Sequence, residues 1–155
     1  MKRQLVVAVS AALVVAAASA ALVANAASTS GAGARHGTAA RKFVGYWMGI
    51  DPLDGGDSRR GITKRGGGRF AVIGRDTVFT LCDGTDRAIV TTGDARLSGG
   101  SLSSDDFVIS CTNNGQTIRL KLRYDVVAHN IIRETLTSQS GEPVDKIIFH
   151  RVSAP

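Results

Sequence analysis

The ten residues from Thr117 to Val126 read Thr-Ile-Arg-Leu-Lys-Leu-Arg-Tyr-Asp-Val, and their pattern decides the fold class. Every second residue is apolar, and the residues between are charged or polar. Because successive side chains of a strand point to opposite faces, this pattern predicts a strand with one buried and one solvated face, as in antiparallel sheets. The face predicted to be buried carries Ile118, Leu120, Leu122, Tyr124 and Val126.

The sequence on both sides of this strand has the same character. Short runs of β-branched and aromatic residues alternate with turn clusters such as Gly66-Gly67-Gly68 and Ser98-Gly99-Gly100, as in chains of hairpins. No window after Phe43 has a helical apolar stripe. We therefore expect an all-β fold, a single antiparallel up-and-down barrel of eight or nine strands, with a two-sheet sandwich as the alternative. The predicted interior includes Phe43, Phe107, Ile109, Ile118, Leu120, Leu122, Tyr124, Ile147 and Phe149.

The start of the chain has the features of an export signal. Lys2 and Arg3 precede an uncharged apolar run, and Ala24-Asn25-Ala26 offers a small-x-small cleavage motif, with a second motif ending at Ala20. We predict a signal peptide over 1–26, a flexible linker over 27–42 and a β-barrel domain over 43–153. The alternative for the first segment is an uncleaved membrane anchor. Export predicts a secreted protein.

The net charge of the chain limits the classes of partner that it can bind, and its two cysteines are consistent with export. Loss of Lys2 and Arg3 leaves 17 basic and 13 acidic residues, a net charge of +4, too low for a dedicated nucleic-acid-binding protein. The chain has 14 arginines and only five lysines, which indicates a GC-rich genome. Oxidising surroundings favour a disulfide between Cys82 and Cys111, which lie 29 positions apart. Strands two apart are separated by about 9.6 Å, so this bond must form beyond the strand ends.

Gly45-Tyr46-Trp47 opens the first predicted strand, and Phe149-His150-Arg151 closes the last. This arrangement resembles the lipocalin-like (calycin) barrels, in which a Gly-x-Trp on the first strand meets an arginine from the last. The resemblance implies a small, secreted bacterial barrel in which Trp47 and Arg151 form a barrel-closing pair. An arginine over the face of Trp47 would also gain a cation–π contact.

The most unusual loop runs from Asp51 to Arg60. It lacks the acid at the twelfth position that an EF-hand calcium site requires, so we expect turn-capping aspartates and no metal. Loops at a barrel mouth are where partners bind. The candidate partner-binding residues are Asp51, Asp54, Asp57, Arg59 and Arg60.

These observations favour a non-enzymatic binding protein, without cofactor, that is monomeric and binds a small apolar ligand. The alternative is a protein-binding module, since exported barrels with one disulfide and a free N-terminal arm resemble bacterial metalloprotease inhibitors. Its binding surface would be the arm from Ala27 onward with the 51–60 loop. An enzyme is the weakest interpretation. Gly56-Asp57-Ser58 resembles a hydrolase nucleophile motif, but the accompanying base and oxyanion hole are not evident.

Overall fold

The computed structural model describes residues 38–83 and 88–153, and within these ranges nine strands form one antiparallel sheet. Their bounds are β1 Gly45–Ile50, β2 Asp57–Lys64, β3 Arg69–Asp76, β4 Ala88–Thr92, β5 Ala95–Ser98, β6 Ser101–Cys111, β7 Thr117–Ala128, β8 Ile131–Thr137 and β9 Pro143–Ser153.

The sheet closes on itself as an up-and-down barrel. Each strand pairs with its neighbour along the chain, apart from β4 and β5, which do not pair with each other, and β1 also pairs with β9, which joins the two edges. β4 and β5 both lie between β3 and β6, so they are two halves of one strand, interrupted at Gly93. The described chain is therefore a closed barrel of eight strands, and the predicted fold class is confirmed. Among the nine described strands, closure leaves no unpaired sheet edge.

Side chains fill the barrel interior. Eight of the nine predicted interior residues are buried, and Ile118 is partly buried against the same core. Val126 departs from the prediction, because 38% of its surface is exposed. The pairing of β7 with β8 shifts register between Val126 and Ala128, so a β-bulge ends the strict alternation near this end of the strand.

The predicted signal peptide and most of the predicted linker lie outside the described residues. Residues 38–41 form a helical turn, and Ala40 belongs to the hydrophobic core. The packed domain therefore includes residues 38–42, which the sequence assigned to the flexible linker. No helix within 38–83 and 88–153 is long and apolar enough to cross a membrane.

The disulfide joins Cys82 to Cys111, and their Cα atoms are 5.5 Å apart. Cys111 is the last residue of β6, whereas Cys82 ends the 3₁₀ turn Thr80–Cys82 after β3. The bond thus joins the last residue of a strand to a loop residue, so the prediction that it forms beyond the strand ends holds for Cys82 but not for Cys111, which still pairs with Ala88 of β4. It ties the loop after β3 to the β6–β7 end of the barrel.

Candidate functional site

One end of the barrel is organised by Trp47 and Arg151. They are direct partners in the β1–β9 pairing, and the guanidinium carbon of Arg151 lies 4.2 Å from the centre of the Trp47 ring. The predicted cation–π contact is therefore present. A Cβ at Gly45, whose φ is +140°, would lie 2.7 Å from Arg151 Nη1. Glycine at this position leaves the space that the guanidinium occupies.

Arg151 also anchors the segment that precedes β1. Its guanidinium donates to the carbonyl oxygens of Val44 and, at 2.7 Å, of Lys42. Trp47 Nε1 donates to the Phe43 carbonyl at 2.8 Å. These bonds hold 42–44 against the barrel end by their backbone atoms, and the buried side chain of Phe43 adds to them.

A pocket of about 410 Å³ lies beside this pair. The segment before β1, the β7–β8 hairpin and the end of β9 form its walls, and the Asn130 carbonyl of the hairpin accepts a bond from Arg151 N–H at 3.0 Å. This volume is within the range of small-molecule sites in proteins. Its apolar wall consists of Trp47, Val126, Ala128 and Ile131, and its polar residues are Arg41, Lys42, His129, Asn130 and Arg151.

The pocket is rich in cations, and none of the described residues that line it is acidic. Among the described residues, no carboxylate is within 4.0 Å of the charged groups of Arg41, Lys42 or Arg151. Burial lowers the pKa of Arg151 from its usual value, but a guanidinium remains protonated in proteins. The positive charge of the pocket is therefore uncompensated by the described part of the chain.

The barrel interior holds a second polar arrangement, centred on Arg60. Its side chain is fully buried and makes two bonds of 2.9 Å to the Glu134 carboxylate, and its Nη1 is 2.7 Å from Asp76. Tyr124 donates its hydroxyl to the same Glu134 at 2.5 Å. We call these four residues the interior ion cluster. Gly74, opposite Arg60 on β3, makes room for it, because a Cβ there would lie 2.8 Å from Arg60 Cδ.

The interior ion cluster is strongly coupled electrostatically. Burial alone would lower the pKa of Arg60, but the charges of Glu134 and Asp76 outweigh it and raise that pKa well above its usual value. Burial and the Glu134 charge raise the pKa of Tyr124 well above its usual value too. Arg60 therefore stays charged and Tyr124 stays protonated at any physiological pH. The cluster is a fixed structural element in the middle of the barrel.

Sequence reasoning missed this cluster, although a signal was present. Glu134 lies between Ile132 and Leu136, which are both buried, so period two places its carboxylate on the inner face. A carboxylate predicted inside a barrel requires a buried cation. Nothing local to β8 shows that Arg60, 74 positions earlier, supplies it.

The structure divides the residues of the predicted 51–60 loop. Arg60 lies in β2 and points inward, and Asp51 is buried, so their assignment to an exposed surface is corrected. Asp51 and Asp54 cap the turn, accepting bonds from Leu53 N–H at 2.7 Å and Gly56 N–H at 2.8 Å. The side chains that remain accessible to a partner are those of Asp54 and Asp57, which are half-buried, and Arg59, which is exposed.

Asp51 faces Asp145 at the barrel end opposite Trp47. The two carboxylates line a pocket of about 80 Å³, and Asp145 Oδ2 is buried without a hydrogen-bond partner. Burial and the negative charge of Asp51 raise the pKa of Asp145 from its ordinary 3.8 to about 7. No three His, Cys, Asp or Glu side chains of the described chain group as a metal site, and this pair is a proton-sensitive contact.

Replacing Asp145 with asparagine should therefore stabilise the protein in a pH-dependent way. Asp145 binds its proton more tightly when folded, so wild type loses stability as pH rises from about 4 through about 7. The variant avoids this loss, and we expect it to gain about 1 to 3 kcal/mol over wild type at about pH 8.5 and little at about pH 4.5. Urea unfolding at both pH values measures the gain.

The matched control for this experiment is Asp105→Asn, which removes an exposed carboxylate from β6. It should change stability by less than about 0.5 kcal/mol at either pH. An equal gain for Asp145→Asn at both pH values would show that the proton at this site does not affect folding.

The outer face of the barrel carries a band of exposed apolar side chains on β1, β3 and β9. The Tyr46 ring lies over Gly61 of β2, whose cross-strand partner on β3 is Ile73. Arg59 and Arg75 lie directly opposite each other along the same strands. The exposed apolar residues of this band are Tyr46, Met48, Ile50, Ile73, Ile148 and Val152.

The described residues thus define a class: a closed, eight-stranded, antiparallel β-barrel with one disulfide, an ion cluster inside and a cationic pocket at one end. The chain has no significant match to a protein-family model, to a curated protein or to a solved structure. The function must therefore be inferred from the geometry of the barrel.

Proposed function

We propose that this chain is an exported, non-enzymatic binding protein of the lipocalin-like kind that holds a small molecule in the pocket beside Trp47. The observation that carries the proposal is the pocket of about 410 Å³, whose wall contains Trp47, Val126 and Ile131. Sites for small molecules are typically concave, mostly apolar and furnished with a few polar groups. This pocket has all three properties.

The filled interior supports the end pocket as the binding site. Trp47, Arg60, Tyr124 and Phe149 are among the largest fully buried side chains, and the guanidinium of Arg60 lies 5.2 Å from the centre of the Phe149 ring. An eight-stranded barrel has room either for side chains or for one small ligand. A ligand along the axis would have to displace the ion cluster, which would leave buried charges unpaired.

The amino-acid sequence of the N-terminus supports export of the protein. Residues 1–26 have the order of a signal peptide: basic start, apolar run and cleavage motif. The disulfide between Cys82 and Cys111 agrees with that location, because disulfides persist in oxidising compartments.

The pocket can be tested with the fluorescence of Trp47, since it is the sole tryptophan of the chain. Octanamide, a neutral molecule small enough for the pocket, should change this fluorescence saturably, with a Kd between about 10 µM and about 1 mM. Ala128→Phe fills the pocket and should weaken binding at least about tenfold. Val127→Phe places the same ring at an exposed neighbouring position outside the pocket lining, and should bind as wild type does.

Native mass spectrometry of the secreted protein, purified without denaturant, gives an independent readout. Extra mass that leaves on activation would support a carried ligand, and a mass starting at Ala27 would support cleavage after Ala26. Equal binding by wild type and Ala128→Phe would refute the pocket as the site.

A second candidate function is protein binding, and the exposed apolar band on β1, β3 and β9 favours it. Monomeric proteins rarely expose large contiguous apolar patches without a binding role. Arg59 lies directly across from Met48 of this band and is exposed, so it is the member of the predicted 51–60 loop best placed to join such an interface. If no ligand enters the pocket, this face is the remaining candidate surface.

A further inference from the structure

We propose that Asn114 is a site of spontaneous covalent modification, at which the side-chain amide leaves as ammonia and an acidic residue remains. The reaction requires only the backbone nitrogen of Gly115 and water, without an enzyme or a cofactor. It would place a new negative charge beside Asp83, next to the disulfide. The site lies in the turn between β6 and β7 and is independent of the pocket beside Trp47.

Asn114 and Gly115 form the sole Asn-Gly pair of the chain, and both are exposed. The backbone nitrogen that follows an asparagine reaches the side-chain carbonyl carbon most easily when it belongs to glycine, because a Cβ hinders the approach. Gly115 has a φ of +70°, and apart from its chain neighbours no atom lies within 4 Å of the position that a Cβ would take. The turn therefore leaves the attacking nitrogen uncrowded. Asn113 and Asn130 precede an asparagine and an isoleucine, which both carry a Cβ.

The reaction closes a ring between the Asn114 side chain and the backbone. The Gly115 nitrogen bonds to Cγ of Asn114, and the Cγ–Nδ2 bond breaks. The proton that the nitrogen loses is balanced by the proton that the departing amide takes up to become ammonia. Water then opens the resulting cyclic imide at either carbonyl, which gives aspartate or isoaspartate. No electrons are transferred, so the reaction needs no oxidant or reductant.

Hydrogen bonds already orient the Asn114 amide for this attack. Its Oδ1 accepts a bond from Gln116 N–H at 2.8 Å, and its Nδ2 lies 3.5 Å from Asp83 Oδ2. Oδ1 gains negative charge as the ring closes, and an N–H donor aimed at such an oxygen stabilises the transition state. Gly115 N–H donates to the Cys111 carbonyl at 3.0 Å, and this bond must open first. Because the turn is exposed, such a local opening costs little.

The modification changes the contact between this turn and the 3₁₀ turn that ends at Cys82. The Asn114 amide donates to Asp83, whereas a carboxylate in its place would only accept and would repel Asp83. Asn113 Nδ2 donates to the Cys82 carbonyl at 3.3 Å and forms a neighbouring bond across the same contact. The disulfide keeps the two segments joined, so we expect a local loosening of this contact and not unfolding of the barrel.

The site is tested by mass spectrometry of the full chain, incubated folded in mildly alkaline buffer and then digested in acid. We expect the mass increase of an amide-to-acid conversion at Asn114, in two separable products, at a rate at least about tenfold above that at Asn113. Gly115→Asp adds a Cβ where aspartate tolerates the positive φ, and it should slow the conversion at least about tenfold.

The length of the incubation is set by the same chain unfolded in urea with its disulfide reduced, and it lasts until that chain has converted at Asn114. Three outcomes would overturn the proposal: equal rates at Asn113 and Asn114, equal rates in wild type and Gly115→Asp, or no conversion in the folded chain.

The effect on the contact is tested separately with Asn114→Asp, which reproduces one product. Cys82 N–H, which donates to the Phe79 carbonyl at 2.8 Å, should exchange with solvent at least about twofold faster in this variant at low salt. The difference should shrink at high salt, because the repelling side chains are exposed. Asn114→Asp/Asp83→Asn removes the repulsion and should exchange as wild type does, since asparagine tolerates the φ of +66° at Asp83. Unchanged exchange in Asn114→Asp, or no recovery in the double variant, would refute the effect on this contact.

Discussion

Replacing Arg60 with methionine should destabilise the barrel by about 3 to 5 kcal/mol, because the Glu134 and Asp76 carboxylates would then be buried without a cation. The methionine side chain retains much of the apolar stem of arginine, so little packing is lost. A loss of this size is a large fraction of the free energy of unfolding of a typical domain, which is roughly 5 to 15 kcal/mol. Urea unfolding at neutral pH, followed by circular dichroism, measures it.

A second variant separates charge from packing. Arg60→Met/Asp76→Asn/Glu134→Gln keeps the approximate shapes of the cluster but leaves no charge within it, and the Tyr124 hydroxyl can still donate to the amide oxygen that replaces the Glu134 carboxylate. Replacement of a complete buried ion network by apolar side chains is often neutral, whereas removal of one partner leaves an unpaired buried charge and is costly. The amides of the triple variant carry no charge, so this variant should recover part of the lost stability. If it is as unstable as Arg60→Met alone, shape and not charge explains the effect.

Loss of the disulfide is the second large effect. In Cys82→Ala/Cys111→Ala, we expect unfolding to become easier by about 3 to 4 kcal/mol, from the chain entropy of a loop that spans 29 positions. Both cysteines are buried in apolar surroundings. Alanine is used as the replacement because serine would place an unpaired hydroxyl in the core. The free energy of unfolding in urea, compared with wild type, measures the loss.

Reducing agent supplies the control for this experiment. Wild type treated with dithiothreitol should lose about the same stability as the alanine variant, and the variant itself should not respond. A loss below about 1 kcal/mol would mean that the bond does not restrict the unfolded chain as the loop-entropy model requires.

The fold could be predicted to a large extent because its determinants are local. The alternation from Thr117 to Val126 sets both the strand and its buried face, and the glycine-rich turns set the hairpins that connect neighbouring strands. The Trp47–Arg151 contact was anticipated from the resemblance to lipocalin-like barrels, and strand parity agrees with it. For the strands and turns, a few neighbouring residues carry the whole signal.

The candidate site was less predictable. Lining residues such as Val126 and Ala128 reach the pocket because of a bulge that no short pattern reveals, and Arg41 was placed in a linker. Arg60 was interpreted as a loop residue because three aspartates and another arginine precede it in a turn-like stretch. Its true environment depends on which strand lies across the barrel.

By itself, then, the sequence determined that the chain forms antiparallel strands and which faces of most of them are buried. Only the tertiary structure decided that Arg60 is neutralised by Glu134 from the far wall, that Asp145 meets Asp51, and that Arg41 and Lys42 share a pocket with Arg151. The physical reason is the separation along the chain of the residues that interact. Periodicity is a property of adjacent residues, whereas charge pairing and pocket shape depend on which distant residues the closed barrel brings within a few ångströms.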